Sequence, residues 1–307
     1  MIKENVEIET GVGLSLNYKT YGLAKEEGKS ILILHALTGN SNVTGENGWW
    51  QEIVGLDKVI DLNLYHIVAI DIPGNGTNGQ TVKDIEKYDS NLIGGLIAKT
   101  LQNDGYFNID MAFGVSLGGG LLWEIIVDNP TWINKAFVIA AHWKTSPWLK
   151  GITYTQNEIL EHSTNPIEDA RKMAMLFYRN PEGFEKKFTS NSQAKGWLDY
   201  HGYSLQKRFV KEAYQLMNHL LGNINAIEGY KSFSDAVFPV TTELIHIGVN
   251  SDILFSADDN KQSHAELLRL GKSSFYEEID SVHGHDAFLI EKEQLEIIIN
   301  KHITFKL

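Results

Sequence analysis

The chain has 307 residues, 43% hydrophobic and 21% charged, the balance of a folded globular protein rather than a disordered or fibrous one. Its 27 Lys and Arg against 39 Asp and Glu give a formal charge of −12, so it lacks the electrostatic footprint for nucleic acid or an anionic membrane surface. Cysteine is absent, which excludes a disulfide framework, a thiolate metal site and a cysteine nucleophile together.

The opening MIKENVEIET has no apolar h-region, and no run of eighteen apolar residues occurs anywhere. The cytoplasm is the expected location. Two short strands are predicted first, over Asn5–Thr10 and Leu14–Tyr21. Further strands follow at Ser30–Leu34, Tyr65–Asp71, Asn108–Val115, Lys135–Ala141, Glu243–Asn250 and Ser273–Asp280. Helices are predicted between them at Tyr88–Gln102, Leu117–Asp128, Asp258–Leu270 and Glu291–His302. The strands lack strict polar alternation, as a sheet covered on both faces requires. Strand, helix and strand in succession predict an α/β fold with a mostly parallel central sheet.

One block interrupts that rhythm. From Trp148 to Asp235 the text reads as several helices without a strand. Residues 1–147 and 236–307 are therefore expected to form the core, with 148–235 a helical lid inserted over the C-terminal edge of the sheet. Ala170, Met173, Ala174 and Phe177 fall on one helical face, a pattern that packing alone explains. The block carries 11 Lys and Arg against 10 Asp and Glu, and the rest of the chain 16 against 29. Positive charge is thus concentrated where an anionic substrate could arrive, although a solvated helical surface accounts for the same count.

The strongest local signal is Phe113-Gly114-Val115-Ser116-Leu117-Gly118-Gly119-Gly120, between a predicted strand and a predicted helix. Gly-x-Ser-x-Gly in that setting is a nucleophile elbow. The turn is so tight that the positions two before and two after the serine have no room for side chains. Ser116 is pushed above the sheet, and the helix start offers the Leu117 N–H and a positive dipole to a developing oxyanion. A serine nucleophile needs a base, and the base an orienting acid, in the chain order Ser, acid, His. Asp252 ends the Glu243–Asn250 strand and is the natural acid; Asp258 and Asp259 compete from the next helix. After the last strand come His283 and His285, of which His285 directly precedes the terminal helical segment and is favoured. The loop His35-Ala36-Leu37-Thr38-Gly39 is placed to supply a second oxyanion donor, the Leu37 N–H, with His35 as its structural support. No His, Asp or Glu cluster has metal-ligand spacing, no Walker or dinucleotide pattern occurs, and Gly74-Asn75-Gly76 is too short for a phosphate cradle.

Together these residues resemble the homoserine O-acetyltransferases of the α/β-hydrolase superfamily. The resemblance rests on His35-Ala36-Leu37-Thr38-Gly39-Asn40-Ser41, Gly48-Trp49-Trp50, the elbow, Trp197-Leu198-Asp199-Tyr200-His201-Gly202 with Arg208-Phe209, and Gly284-His285-Asp286-Ala287-Phe288-Leu289. It runs from about residue 30 to 295, and the elbow is its least specific part. It implies Ser116 as acyl acceptor, His285 as base, Asp252 as acid, and Leu37 and Leu117 as oxyanion donors. It also implies Asp286 as the contact for the substrate amino group, although an acid in the first turn of the terminal helix is favourable without any substrate. Acetyl-CoA is then the acyl-donor substrate, no cofactor is bound, homoserine is the acceptor, methionine biosynthesis is the pathway, and the protein is a homodimer through the lid.

Two departures stand out. The stretch after the fourth strand, Pro73-Gly74-Asn75-Gly76-Thr77, is shorter than the family's Gly-rich one. The first lid helix, where the family carries an arginine for the amino-acid carboxylate, reads Tyr154-Thr155-Gln156-Asn157. Lys144, Arg171 and Arg179 are the candidate substitutes. A serine esterase or thioesterase would use the same triad, and succinyl-CoA or another hydroxy amino acid would use the same fold. A non-catalytic binding protein would have no need of an intact Ser, Asp and His set.

Overall fold

The structure, a computed structural model, describes residues 2–9 and 13–303. Thr10, expected at the end of the first strand, lies outside the described residues. Strands β1 (Ile2–Glu9) and β2 (Ser15–Gly22) pair antiparallel, and β3 (Lys29–Leu34) follows. A small parallel pair, β4 (Val54–Gly55) and β5 (Ile60–Asp61), was not expected, because two-residue strands are too short to show a period. Next come β6 (Tyr65–Asp71), α1 (Ser90–Asn103), β7 (Ile109–Val115), α2 (Leu117–Asp128) and β8 (Ile133–Ile139). The last strand ends two residues before its expected limit because Ala140 takes φ 47°, a conformation that extended backbone excludes.

Between β8 and β9 (Glu243–Val249) lie six helices. They are α3 (Pro147–His162), α4 (Pro166–Phe177), α5 (Pro181–Lys187), α6 (Asn191–Gln206), α7 (Lys211–Gly222) and α8 (Phe233–Val237). Three of them open on a proline in the first turn, where a missing N–H costs no hydrogen bond. Ser146 and Asn180 cap two of those starts by accepting from Leu149 N–H and Glu182 N–H. The chain closes with α9 (Ala257–Arg269), β10 (Ser274–Ile279), α10 (Ala287–Ile290) and α11 (Lys292–Ile303).

The main sheet has the order β1-β2-β6-β3-β7-β8-β9-β10, and every pairing from β6 to β10 is parallel. Successive residues of each central strand enter opposite cores. Leu32, Leu34, Ala112, Ala136 and Val138 face one layer, and Ile31, Ile33, Phe113, Phe137 and Ile139 the other. Both layers are apolar, which is why these strands show no polar alternation. The first layer is completed by α1, α2 and helices of the insertion, the second by α11 and the segment 43–62 that carries β4 and β5. Phe113 and Phe137 stack at 4.3 Å between ring centres and fix neighbouring strands together. Among the described residues no helix is long and apolar enough to cross a membrane.

This topology places the site. β3 lies between β6 and β7, so the connections on its two sides leave in opposite directions and open a crevice at the strand ends. The loops after β3, β7, β9 and β10 all emerge at that same edge.

Candidate active site

Ser116 stands between β7 and α2 with φ 53° and ψ −120°. A non-glycine residue there is strained, and the surroundings hold it in place. Its N–H donates to Ile139 O at 2.9 Å, and its carbonyl accepts from Gly119 and Gly120. A Cβ on Gly114 would lie 2.5 Å from Gly118 O, and one on Gly118 would lie 2.4 Å from Leu34 O. The obstacles are backbone atoms that no rotamer can move. Gly118→Ala is therefore expected to destabilise the fold by about 1–3 kcal/mol or more, read as a lowered Tm in thermal unfolding. An unchanged Tm would mean that α2 and β3 can separate freely.

Ser116 Oγ–H donates to His285 Nε2 at 2.8 Å, and His285 Nδ1–H donates to Asp252 Oδ2 at 2.7 Å. Asp252 accepts at its other oxygen from the N–H groups of Leu254 (2.7 Å) and Phe255 (3.1 Å). A carboxylate has no proton to give, so the imidazole carries its proton on Nδ1 and presents Nε2 as the base. All three side chains are buried, with Ser116 4% exposed and His285 3%. The rings of Tyr178, Phe255 and Phe288 surround His285 at 5.7–5.8 Å. Burial alone would lower its pKa. The charge and hydrogen bond of Asp252, with the Asp286 charge added, hold it above the ordinary value. His283, by contrast, sits before a 3₁₀ turn (Gly284–Asp286), and its backbone N–H donates to Ser281 Oγ. Asp258 and Asp259 lie in the first turn of α9.

The loop after β3 is anchored at several points. His35 Nδ1–H donates to Ala36 O at 2.7 Å, while Nε2 accepts from Ile72 N–H (3.0 Å) and faces Asn75 Nδ2 (3.2 Å). Burial keeps this imidazole's pKa below the ordinary range, so it remains neutral. Ser41 donates from N–H and Oγ to the two oxygens of Asp71, and Trp49 Nε1–H donates to Asn40 O. Arg208, just beyond α6, donates from Nη1 to Thr38 O at 2.8 Å. Among the described residues neither Leu37 nor Leu117 spends its backbone N–H on another backbone group outside regular structure.

The insertion meets the histidine loop closely. Asp286 N–H donates to Tyr178 O at 3.1 Å, and Ser251, in the loop after β9, joins the two parts by accepting from Asn180 Nδ2–H at its carbonyl (3.3 Å) and from Gly284 N–H at Oγ (3.0 Å). At Gly284 (φ 67°) a Cβ would lie 2.7 Å from Arg179 C. Arg179 Nε lies 3.1 Å from Asp286 Oδ2, a charge contact rather than an aligned hydrogen bond. The Asp286 side chain caps no helix N–H.

A cavity of about 60 Å³ collects these parts; Leu37, Thr38, Ser116, Arg171, His285 and Asp286 are in its wall. Arg171 therefore lies at the cavity, and Arg179 touches it through Asp286. Lys144 is outside it, its ammonium 4.6 Å from the Trp143 ring. Ala170 and Ala174 are both buried, and Met173 and Phe177 pack against the core that Ala170 joins. Tyr178, which also lines the cavity, was not singled out from sequence. Its spacing of seven from Arg171 puts the two on one helical face, and that signal was available. Asn75 and Arg208 were also missed as supports, because nothing local marks a side chain that bonds a distant loop.

No protein-family model matches the chain. It is 28% identical over 332 residues to the homoserine O-acetyltransferase of Cyclobacterium marinum, covering 97% of this chain and 92% of that protein. Among solved structures, homoserine O-acetyltransferase from Bacillus anthracis superposes with a TM-score of 0.87 at 17% identity, covering 100% of this chain and 97% of that one. Esterase E22 superposes with a TM-score of 0.85 at 13% identity, covering 99% and 100%. At those identities the two structures establish the shared fold.

Proposed function

We propose that this chain, which belongs to the homoserine O-acetyltransferase family of the α/β-hydrolase superfamily, moves an acetyl group from acetyl-CoA to the hydroxyl of L-homoserine, a step of methionine biosynthesis. The observation that carries this reading is a pair of opposite charges beside the nucleophile. Arg171 and Asp286 line the same small cavity as Ser116 and His285. An α-amino acid brings one carboxylate and one ammonium to such a site, whereas a simple ester brings neither.

In the first half-reaction Ser116 Oγ attacks the thioester carbonyl as His285 Nε2 takes its proton. The Leu37 and Leu117 N–H groups receive the oxyanion. The C–S bond breaks, CoA leaves with the proton returned through His285, and the acetyl group remains on Ser116. In the second, His285 removes the homoserine hydroxyl proton, the oxygen attacks the acyl-enzyme, and Ser116 recovers its proton. Arg171 holds the acceptor carboxylate and Asp286 its ammonium. The burial of Ser116 and His285 under the proposed lid, residues 148–235, disfavours water as the acceptor.

Steady-state CoA release, measured with and without homoserine, tests the reaction. Release that depends on homoserine is the expected result; equal release without it would make the protein a thioesterase. Asp286→Asn tests the acceptor contact. That variant should still be acylated by acetyl-CoA but should need at least about tenfold more homoserine, as loss of a charge-assisted contact implies. Its acidic limb should also move to lower pH, because Asp286 helps to raise the His285 pKa. A wild-type KM for homoserine would remove Asp286 from the acceptor site. The proposed setting is the cytoplasm, and the proposed assembly is a dimer through the lid, supported by the exposed Tyr200 and Tyr203 on α6.

A further inference from the structure

The residues in and next to the cavity carry more positive charge than an amino-acid acceptor requires. Arg171 lines the cavity, 5.3 Å from the Tyr178 ring. Arg208 reaches the cavity residue Thr38 through its carbonyl. Arg179 and Lys187 lie on the same indole, 5.3 and 4.9 Å from the Trp197 ring centre. Among the described residues Asp286, on Arg179, is the carboxylate within ion-pair distance of any of these four cations.

The excess is felt locally. The His201 ring, 4.3 Å from Trp197, has its pKa pushed down to about 4 by burial and then by Arg171, Arg179 and Lys187. Partial desolvation beside Trp197 lowers the Lys187 ammonium as well, with Arg179 adding and Asp286 opposing. Like charges gathered in this way on a chain of formal charge −12 repel one another until an anion joins them.

The acceptor brings one carboxylate, and Arg171 inside the cavity answers it. Lys187 and Arg208 are exposed at the surface. A cavity of about 60 Å³ holds roughly four to six water-sized groups, so the acyl end of a CoA thioester fits and its nucleotide end does not. With the thioester at Ser116, the donor's phosphates must stay outside, on the solvent side.

We propose that Lys187 and Arg208, with Arg179 behind them, form a phosphate-binding rim that recognises the polyanionic end of the acyl donor. This rests on the acyl-CoA reading above and adds the part of the donor that is read and the residues that read it. Arg208 spends one N–H on Thr38, which leaves its other donors for a phosphate. The rim would also set donor preference: a thioester without phosphates reaches the same triad but gains nothing from these cations.

The test compares acetyl-CoA with S-acetyl-N-acetylcysteamine, a thioester that carries no phosphate, in Lys187→Met and in Lys186→Met. Lys186 loses the same charge one residue away and pairs instead with Glu182 at 2.8 Å. In Lys187→Met, kcat/KM for acetyl-CoA should fall about tenfold or more, with a shallower dependence on ionic strength. The phosphate-free donor and the KM for homoserine should stay at wild-type values, and Lys186→Met should leave both donors unaffected. An unchanged acetyl-CoA rate in Lys187→Met overturns the rim while leaving the acyltransferase reading intact. Equal losses with both donors, or a raised homoserine KM alone, also overturn it. Wild-type protein that accepts the phosphate-free thioester but not acetyl-CoA overturns both readings.

Discussion

Ser116→Ala should lower kcat for acetyl transfer by about 10⁶-fold, the order found when the nucleophile of a serine-hydrolase triad is removed. The expectation is this large because the parts act as one unit. Ser116 Oγ is the atom hydrogen-bonded to the His285 base, at 2.8 Å, and without it that imidazole has no proton to take and the acetyl group no covalent carrier. What survives is substrate binding and the proposed oxyanion donors, the Leu37 and Leu117 N–H groups, which together should retain a small residual rate. Intact-protein mass spectrometry after mixing with acetyl-CoA should show an acetyl adduct on the wild type and none on the variant. The backbone at this position is already strained at φ 53°, and alanine meets the same strain, so the variant should fold. A variant with wild-type turnover would rule out the acyl-enzyme mechanism.

His285→Ala should be comparably damaging, with a loss of about 10⁶-fold in kcat, whereas His283→Ala should cost less than about tenfold. The two histidines are two residues apart, yet only the His285 ring reaches both Ser116 and Asp252. Collapse of activity in His283→Ala with retention in His285→Ala would reverse the assignment. The pH profile provides an independent check. A general base must be neutral, so kcat/KM falls as acid protonates Nε2. Because Asp252 and Asp286 hold the His285 pKa above its ordinary value of 6.5, the midpoint of the acidic limb should lie above 6.5. A midpoint below that would mean that burial outweighs the two carboxylates.

Much of the core was legible because its causes are local. The elbow follows from Gly114 and Gly118, whose missing side chains are demanded by backbone atoms 2.4–2.5 Å from where a Cβ would stand. Chain order and positions just beyond strands identify Asp252 and His285, and His35, expected as a support, holds the Ala36 carbonyl. The sheet's parallel run was legible from apolar strands separated by helices. The short β4–β5 pair and the early end of β8 were not, since two residues show no period and a positive φ at Ala140 has no marker in composition.

What the sequence determined by itself was the identity and order of the reacting groups, because the elbow and the strand-end positions depend on neighbours a few residues away. Which charged groups face them was decided only by the tertiary structure. Ser116 and His285 meet across 169 positions, and Arg208 and Thr38 across 170. Lys144, Arg171 and Arg179 are equally cationic as letters. The packing of α4 and of the segment after it against the histidine loop brings Arg171 to the cavity and Arg179 to Asp286, while Lys144 stays over Trp143. Side-chain charge is a local property of the chain, but the direction in which it points is set by contacts that exist only after the helices have docked.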